Sequence, residues 1–214
     1  MSISIIDYGM GNLRSVQKGF EKKELEAKII HTPQEVLDAK ALVLPGVGAF
    51  KNCLKNLEFF KLIPPLLSSI ASGKPFMGIC LGLQILFSES EEFGKTPGLD
   101  VIKGKVTRFT TEKPDIESEN SLTHLKIPHM GWNTIKIRKA NPYLQNIQDS
   151  SFLYFVHSYY VTPEETDMVT TTTNYGVEFV SSIWKDNIFA CQFHPEKSQS
   201  VGLQILKNFA EIAK

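Results

Sequence analysis

Short apolar runs alternate with helical patterns through the first half of the chain, and this alternation restricts the possible fold more than any other feature. Four runs are typical of buried strands, at residues 2–7, 27–30, 41–44 and 75–79. Between them, apolar residues recur at spacings of three and four, the period of an amphipathic helix. Strands separated by helices pair in parallel through right-handed crossovers. The sequence therefore predicts an α/β fold, an open and mostly parallel sheet with helices on both faces.

The helical patterns are marked by Leu13, Val16 and Phe20, by Phe50, Cys53, Leu54 and Leu57, and by Ile63, Leu66, Leu67 and Ile70. A further helix is predicted at residues 81–87, directly after the fourth strand. Ligands of such sheets bind beyond the carboxyl ends of the strands. The loops that follow the strands are therefore the places to look for chemistry.

The second half of the chain is richer in strands and turns. Strands are predicted at 101–109, 132–137, 152–156, 177–184 and 188–193, and a closing helix at 199–213. We expect these strands to extend the same sheet with an antiparallel flank. The polar segment 110–126 predicts an exposed, mobile loop. A chain of 214 residues can form one core, and we expect a single domain over residues 1–214.

Charge and cysteine content narrow the class of function. The 23 basic and 23 acidic side chains balance and form no basic stripe, unlike a dedicated nucleic-acid binder. We therefore expect small molecules or another protein as partners. The cysteines, Cys53, Cys80 and Cys191, are few and odd in number, which disfavours a disulfide framework and suits a reducing cytoplasm. The sequence shows neither a secretory signal nor an apolar run long enough for a membrane, which favours the same location.

Cys80 lies in the one segment whose pattern indicates a reactive side chain. Glycines at positions 78 and 82 frame it, between a predicted strand and a predicted helix. This Gly-x-nucleophile-x-Gly form is typical of a sharp turn that projects the nucleophile, where only small flanking residues allow the turn to close. A helix that begins there favours the thiolate. Burial without reactivity is the alternative, and it accounts better for Cys53 and Cys191, which lie in apolar patterns.

A cysteine nucleophile needs a histidine base, and His194 is the strongest candidate because it ends a predicted strand. Pro195 favours an extended chain, which would place His194 and Glu196 on the same side. The carboxylate of Glu196 could then fix the tautomer of the imidazole, the third role of a catalytic triad. His157 is a competing base, although no carboxylate lies near it in sequence.

Taken together, GICLGLQ around Cys80 and FHPEKS around His194 and Glu196 resemble the signatures of class I, triad-type glutamine amidotransferases. Further segments resemble one branch of that superfamily, the glutaminase subunits of imidazole glycerol phosphate synthase. These segments are IDYGMGNLRSV, PGVGAF, PHMGWN and FVHSYY. They occur in order over nearly the whole chain, which makes the resemblance far more specific than any single motif.

The resemblance implies a reaction and a partner. Cys80 would attack the side-chain amide of L-glutamine, His194 would protonate the departing ammonia, and water would release glutamate from a thioester. Ammonia would pass to a barrel-shaped cyclase subunit in a heterodimer. That subunit would use it to make imidazole glycerol phosphate and the aminoimidazole carboxamide ribotide of histidine biosynthesis. No metal and no cofactor is expected.

The resemblance also assigns residues to these roles. The oxyanion hole would use backbone near Val47, Gly48 and Leu81. Substrate contacts are expected at Gly46, Gln84, His157, Ser158 and Tyr159. The partner interface is expected at Asn12, Met130, Trp132, Tyr154 and Lys197. A solvent-facing position is the alternative for Gln84, and a place in the core is the alternative for Trp132.

Three other functions remain open at this point. Similar subunits supply ammonia for the amidation of surface sugars and share the same glutaminase chemistry. A non-catalytic interaction module could keep the fold, although Cys80, His194 and Glu196 are all present. A cysteine peptidase of similar architecture finds no support in the HPEKS and GLQ segments.

Overall fold

The computed structural model describes residues 2–110 and 125–213. Most of the loop predicted at residues 110–126 lies outside this part of the chain. The first half contains β1 (Ile3–Ile6), α1 (Leu13–Glu21), β2 (Ala27–Ile30), α2 (Pro33–Asp38), β3 (Leu42–Gly46), α3 (Phe50–Phe59), α4 (Ile63–Ala71), β4 (Phe76–Cys80) and α5 (Leu81–Gln84).

The second half is built mainly of strands. They are β5 (Phe87–Ser90), β6 (Thr96–Pro97), β7 (Ile102–Arg108), β8 (His129–Thr134), β9 (Lys136–Ile137), β10 (Phe152–His157), β11 (Tyr159–Pro163), β12 (Val169–Tyr175), β13 (Val177–Lys185) and β14 (Ile188–Cys191). Two short 3₁₀ turns, Pro142–Leu144 and Pro195–Lys197, precede the closing helix α6 (Gln199–Ile212).

Within the described residues, twelve strands join one open mixed sheet. Strands β2, β1, β3, β4 and β14 lie side by side in that order and pair in parallel. Beyond β14, the strands β13, β11 and β7 continue the sheet through antiparallel pairs. The predicted α/β sheet with an antiparallel flank is confirmed.

Helices cover both faces of this sheet, as the alternation predicted. The core on one face contains Val36 of α2, Cys53 and Leu57 of α3, and Leu66 of α4. The core on the other face contains side chains of α1 and α6, among them Phe20 and Phe209. Neighbouring residues of β1 divide between the two cores, because successive side chains of a strand point to opposite faces.

The helix predicted at residues 81–87 is wrong in its second half, because α5 ends at Gln84 and β5 begins at Phe87. Ile85, Leu86 and Phe87 are all fully buried, which no amphipathic surface helix allows. The carbonyls of Ile85 and Leu86 accept hydrogen bonds from the backbone of Leu99 and of residues 101–102. The buried run therefore leaves the helix and enters the sheet.

The strands β8 and β10 do not extend the main sheet as predicted. They form a separate antiparallel pair, here called the β8–β10 ribbon, in which Trp132 lies opposite Tyr154. The strand predicted at 132–137 is in fact divided between β8 and β9. Apolar periodicity locates strands but does not say which partner each one finds, and here tertiary packing decides.

Elements without strong apolar patterns escaped prediction, namely α2, β5, β6, β11 and β12. The threonine-rich β12 is the clearest case, because Thr170 and Thr171 are completely buried and carry hydroxyls. Thr171 Oγ1 lies 2.6 Å from Ser182 Oγ of β13, so the buried hydroxyls satisfy one another. A polar strand of this kind resembles a loop in sequence.

Sheet order brings together the two segments that carry the predicted chemistry. β14 pairs directly with β4, with Cys191 opposite Ile79. Both strands run in the same direction, so Cys80 and residues 192–196 leave the sheet at the same edge. No helix within residues 2–110 and 125–213 is long and apolar enough to cross a membrane.

Candidate active site

The turn at Cys80 is strained in the way that the glycine frame predicts. Cys80 has φ 55° and ψ −104°, a left-handed conformation unusual for a residue with a side chain. A Cβ atom at Gly82 would lie 1.9 Å from the carbonyl oxygen of Leu44, and one at Gly78 would lie 2.6 Å from the Gly82 oxygen. Both glycines are therefore required for α5 to start so close to β3 and β4.

Among the described residues, the Gln192 amide and the Val156 carbonyl are neighbours of the Cys80 sulfur that can form hydrogen bonds with it. Gln192 Nε2 lies 3.5 Å from it and donates, whereas the Val156 carbonyl oxygen, at 3.9 Å, can accept from the thiol.

The other two cysteines, Cys53 and Cys191, lack these surroundings. Cys53 and Cys191 are completely buried and free, and burial raises the pKa of both thiols, that of Cys53 to about 12. Their interpretation as buried, unreactive cysteines agrees with the structure.

His194 and Glu196 form a buried pair. Nδ1 of the imidazole lies 2.8 Å from Glu196 Oε1, and the two side chains are 3% and 2% exposed. Because a carboxylate only accepts, Nδ1 carries the proton, which leaves Nε2 for Cys80. Nε2 has no hydrogen-bond partner among the described residues.

The backbone that aligns this pair is not the extended chain predicted from Pro195. Residues Pro195–Lys197 form a 3₁₀ turn instead, closed by the Lys197 N–H donating to the His194 carbonyl at 3.0 Å. Ser198 Oγ also donates to that carbonyl, at 2.6 Å, and accepts from the Tyr154 N–H at 2.9 Å. The same pair of residues is brought together, but a hydrogen-bonded turn holds it.

Opposing effects act on the protonation of His194. Burial lowers the pKa of the imidazole, since a charged ring loses its solvent. The charges of Cys80 and Glu196 outweigh burial and raise the pKa of His194 above its ordinary range. The surroundings of His194 therefore favour the imidazolium, the form that its ring takes when it accepts a proton as the base.

The ring of His157 is engaged by other protein groups, which argues against its role as the base; the substrate contact expected there stays a prediction. Its Nδ1 donates to the Tyr159 carbonyl at 2.9 Å, so its Nε2 must accept from His129 Nδ1, also at 2.9 Å. Both ring nitrogens are occupied. Burial lowers the pKa of His157 to about 3 and that of His129 to about 4, so both rings are neutral. His157 instead supports the wall of the site.

A cavity of about 380 Å³ opens over Cys80. Of the predicted residues, those that line it are Val47, Gly48, Cys80, Leu81, Gln84, His157, Ser158, Tyr159 and Lys197. Gly48 has φ +100°, a conformation that glycine adopts without strain. Gly46 does not line the cavity, because Tyr8 and Leu81 pack so closely over it that a Cβ would lie 2.6 Å from the tyrosine oxygen. The substrate contact expected at Gly46 stays a prediction.

Two polar residues of the site, Glu92 and Gln192, were not predicted from the sequence. Glu92 lines the cavity, and its Oε2 accepts from the Phe50 N–H at 2.6 Å. Gln192 is fully buried beside Cys80. Glu92 lies in a polar loop without a pattern. Gln192 directly follows the apolar run of β14, and a polar residue at the end of a buried strand was the available signal.

Four of the five residues expected at a partner interface share one surface. Met130 and Trp132 are 62% and 46% exposed on the β8–β10 ribbon, which rules out a place in the core for Trp132. Tyr154 packs edge-on against Trp132 with ring centroids 6.0 Å apart, and Lys197 Nζ lies 5.6 Å from the centre of the Tyr154 ring. Asn12 is also exposed, but its side chain caps α1 by accepting from the Ser15 N–H.

Comparison with known proteins agrees with this geometry. The family model described as "Glutamine amidotransferase class-I" matches residues 4–213. The protein named imidazole glycerol phosphate synthase subunit HisH in Geobacter sulfurreducens is 53% identical, over 98% of each chain. Its namesake in Thermosynechococcus vestitus is 48% identical, over 100% of this chain and 98% of the relative.

Solved structures share the fold at much lower identity. The structure titled PurLQS from Thermotoga maritima superposes with a TM-score of 0.73 at 16% identity, covering 100% of this chain and 99% of the other. The structure of a glutamine amidotransferase from Thermotoga maritima gives a TM-score of 0.60 at 17% identity, covering 99% of this chain and 81% of the other.

Substitution of Glu196 by glutamine should lower the pKa of His194. The change removes a buried negative charge 2.8 Å from the ring, and that charge favours the imidazolium. NMR titration of the imidazole resonances measures the midpoint. Glu211→Gln, on the exposed face of α6, is the control and should leave the midpoint unchanged. An equal or higher midpoint in Glu196→Gln would contradict the electrostatic role of the pair.

Proposed function

We propose a function for this chain on one premise: it belongs to the class-I glutamine amidotransferase family. Within that family it is the glutaminase subunit of imidazole glycerol phosphate synthase, acting in the cytoplasm as a single domain. Full-length identity of 53% to a protein of that name supports the assignment. The observation that carries the chemistry is Cys80 on its strained turn, at the same sheet edge as the buried His194–Glu196 pair.

The reaction begins with transfer of the Cys80 proton to Nε2 of His194. The thiolate attacks the side-chain amide carbon of glutamine and forms a tetrahedral intermediate. The N–H of Leu81, together with a peptide N–H near Val47 or Gly48, stabilises its oxyanion. Glu196 holds the imidazolium in the tautomer and orientation needed throughout.

Collapse of the intermediate breaks the carbon–nitrogen bond. His194 returns its proton to the departing nitrogen, ammonia leaves, and a thioester remains on Cys80. His194 then takes a proton from water, whose oxygen attacks the thioester carbonyl. The carbon–sulfur bond then breaks and releases glutamate, and His194 returns its proton to the departing sulfur, which restores the thiol.

The amino-acid end of glutamine fits the polar groups of the same cavity. Glu92 is the residue of the cavity lining that carries a carboxylate, and this carboxylate can pair with the α-ammonium group of glutamine. The backbone of Ser158 and Tyr159 lies on the wall and can hold the α-carboxylate. Gln84 lines the same cavity, and its side-chain amide donates to the Tyr159 carbonyl.

The β8–β10 ribbon is the proposed docking surface for the cyclase subunit. Exposed Met130, Trp132 and Phe152, together with Tyr154, form an apolar and aromatic face of the kind enriched in protein interfaces. Lys197 lines the cavity and lies over Tyr154, so this face borders the cavity in which ammonia is released. A partner bound there could receive ammonia without its loss to solvent.

The glutaminase assay tests the chemistry directly. The chain alone should hydrolyse glutamine slowly, and its cyclase subunit with the nucleotide ligand should stimulate hydrolysis strongly. Cys80→Ala should lower kcat in the complex by at least about 10³-fold, because no other group replaces the nucleophile. Cys53→Ala is the matched control and should retain activity, since Cys53 lies in the core. Glutamine hydrolysis at the normal rate by Cys80→Ala would overturn the mechanism.

Replacement of Glu92 by glutamine should raise KM for glutamine about 10-fold or more, with a smaller effect on kcat. The change removes a charge that pairs with the substrate but does not touch the reacting amide. Steady-state kinetics of the complex separate the two constants. Glu89→Gln, in a surface ion pair with Lys95, is the control. An unchanged KM would exclude Glu92 from substrate binding.

Complementation distinguishes histidine biosynthesis from ammonia supply to surface sugars. The gene should restore growth without histidine to a bacterial strain that lacks the glutaminase subunit. The Cys80→Ala form should not restore growth when the medium holds little ammonia. Failure of a well-expressed wild-type chain, together with its cognate cyclase, would favour the sugar pathway.

A further inference from the structure

We propose that Gln192 is a further catalytic residue, whose side-chain amide donates a hydrogen bond to the Cys80 sulfur and stabilises the attacking thiolate. This inference rests on the proposed role of Cys80 as the nucleophile. Gln192 immediately follows β14, and its backbone N–H donates to the Ser181 carbonyl of β13 at 2.9 Å. Its side chain is fully buried, so its amide has a fixed set of partners.

The orientation of the Gln192 amide follows from a chain of hydrogen bonds that starts at a backbone carbonyl. A carbonyl oxygen only accepts, so the Gln84 atom 2.9 Å from the Tyr159 oxygen must be the nitrogen. The same nitrogen lies 3.0 Å from Gln192, which must present its oxygen there. The remaining end of Gln192, 3.5 Å from the sulfur, is therefore the NH₂ group.

A donor at this position favours the charged form of the sulfur. In the thiol form, the S–H can donate to the Val156 oxygen at 3.9 Å. When the proton moves to Nε2 of His194, that bond is lost, while the bond from Gln192 becomes stronger because its acceptor is now an anion. Gln192 transfers no proton in this step, so the sulfur keeps the electron pair that attacks the amide carbon.

The local backbone itself provides little positive field near the Cys80 sulfur, so a side-chain donor there has a larger effect. A long helix starting at Cys80 would have supplied a positive end near the sulfur, but α5 spans only Leu81–Gln84. A short helix provides little of this field. The side-chain amide of Gln192 supplies a directed donor in its place, and Gln84 acts as the positioning residue that aims it.

Several ionisable groups lie close to this sulfur and stay constant in the test. They are His194 with Glu196 beyond it, Tyr8 from the loop after β1, and Cys191 of β14. Glu92 and Lys197 line the same cavity. A comparison between Gln192 variants changes none of them, so any difference reports the amide donor.

The test is the pH profile of iodoacetamide alkylation of Cys80 in the complete synthase, followed by mass spectrometry of the Cys80 peptide. Thiolate, rather than thiol, reacts with this reagent. Gln192→Met keeps much of the volume and removes the donor. Its alkylation midpoint should move up by about one pH unit, and kcat near neutral pH should fall roughly tenfold, the effect expected for a lost hydrogen bond to a charged group. KM should change less than kcat.

Gln192→Glu provides a second variant in case the methionine variant does not fold. A carboxylate can still accept from Gln84, but it places negative charge beside the sulfur. Its alkylation midpoint should therefore rise at least as far as in Gln192→Met.

Asn208→Leu is the structural control, because Asn208 is a buried amide in α6 that donates to Tyr143 and Gln145 carbonyls. It should lower the melting temperature and leave the alkylation profile unchanged.

The outcomes separate this inference from the proposed function. An unchanged alkylation midpoint and kcat in folded Gln192→Met or Gln192→Glu would overturn the role of Gln192 while leaving Cys80 as the nucleophile. A shift of equal size in Asn208→Leu would also overturn it, since a general loss of packing would then explain the change. Full glutaminase activity after complete alkylation of wild-type Cys80 would instead contradict the proposed function itself.

Discussion

The close approach of the turn after β4 to the neighbouring strand β3 is the constraint on which the site depends. Gly82 lies against the Leu44 carbonyl, where a single added carbon atom would clash at 1.9 Å. That contact lets α5 begin immediately and forces Cys80 into its left-handed conformation. The strain at Cys80 is sustained because completely buried strands on both sides fix the backbone.

The pairing of β4 with β14 adds the second half of the site. Two parallel strands end at the same edge, so residues far apart in sequence leave the sheet side by side. A short 3₁₀ turn then holds His194 against Glu196, and Ser198 ties this turn to β10. The base is thus connected both to the central sheet and to the ribbon proposed as the docking surface.

The Tyr159 carbonyl connects the polar groups behind the cavity. It accepts one hydrogen bond from His157 and one from Gln84. The first continues to His129, whose other nitrogen lies 3.2 Å from the Asn133 amide on the ribbon. The second continues through Gln192 to the sulfur. Neutral histidines suit this arrangement, because a charged ring carries two N–H donors, and one N–H in this series would then face another donor instead of an acceptor.

The sequence by itself determined the parallel α/β core and the turn at Cys80. It also identified His194 and Glu196 as a pair, although a 3₁₀ turn holds them together instead of the extended chain that Pro195 predicted. Apolar periodicity, glycine framing and spacing could supply these predictions because they act over a few residues. Only the tertiary structure decided what depends on contacts between distant segments. Such contacts separate β8 and β10 from the main sheet, end α5 at Gln84, bury Gly46 under Tyr8 and occupy both nitrogens of His157. They also place Glu92 at the cavity and Gln192 beside the sulfur. The sequence did not predict these positions, because neither residue has a local pattern that specifies its neighbours.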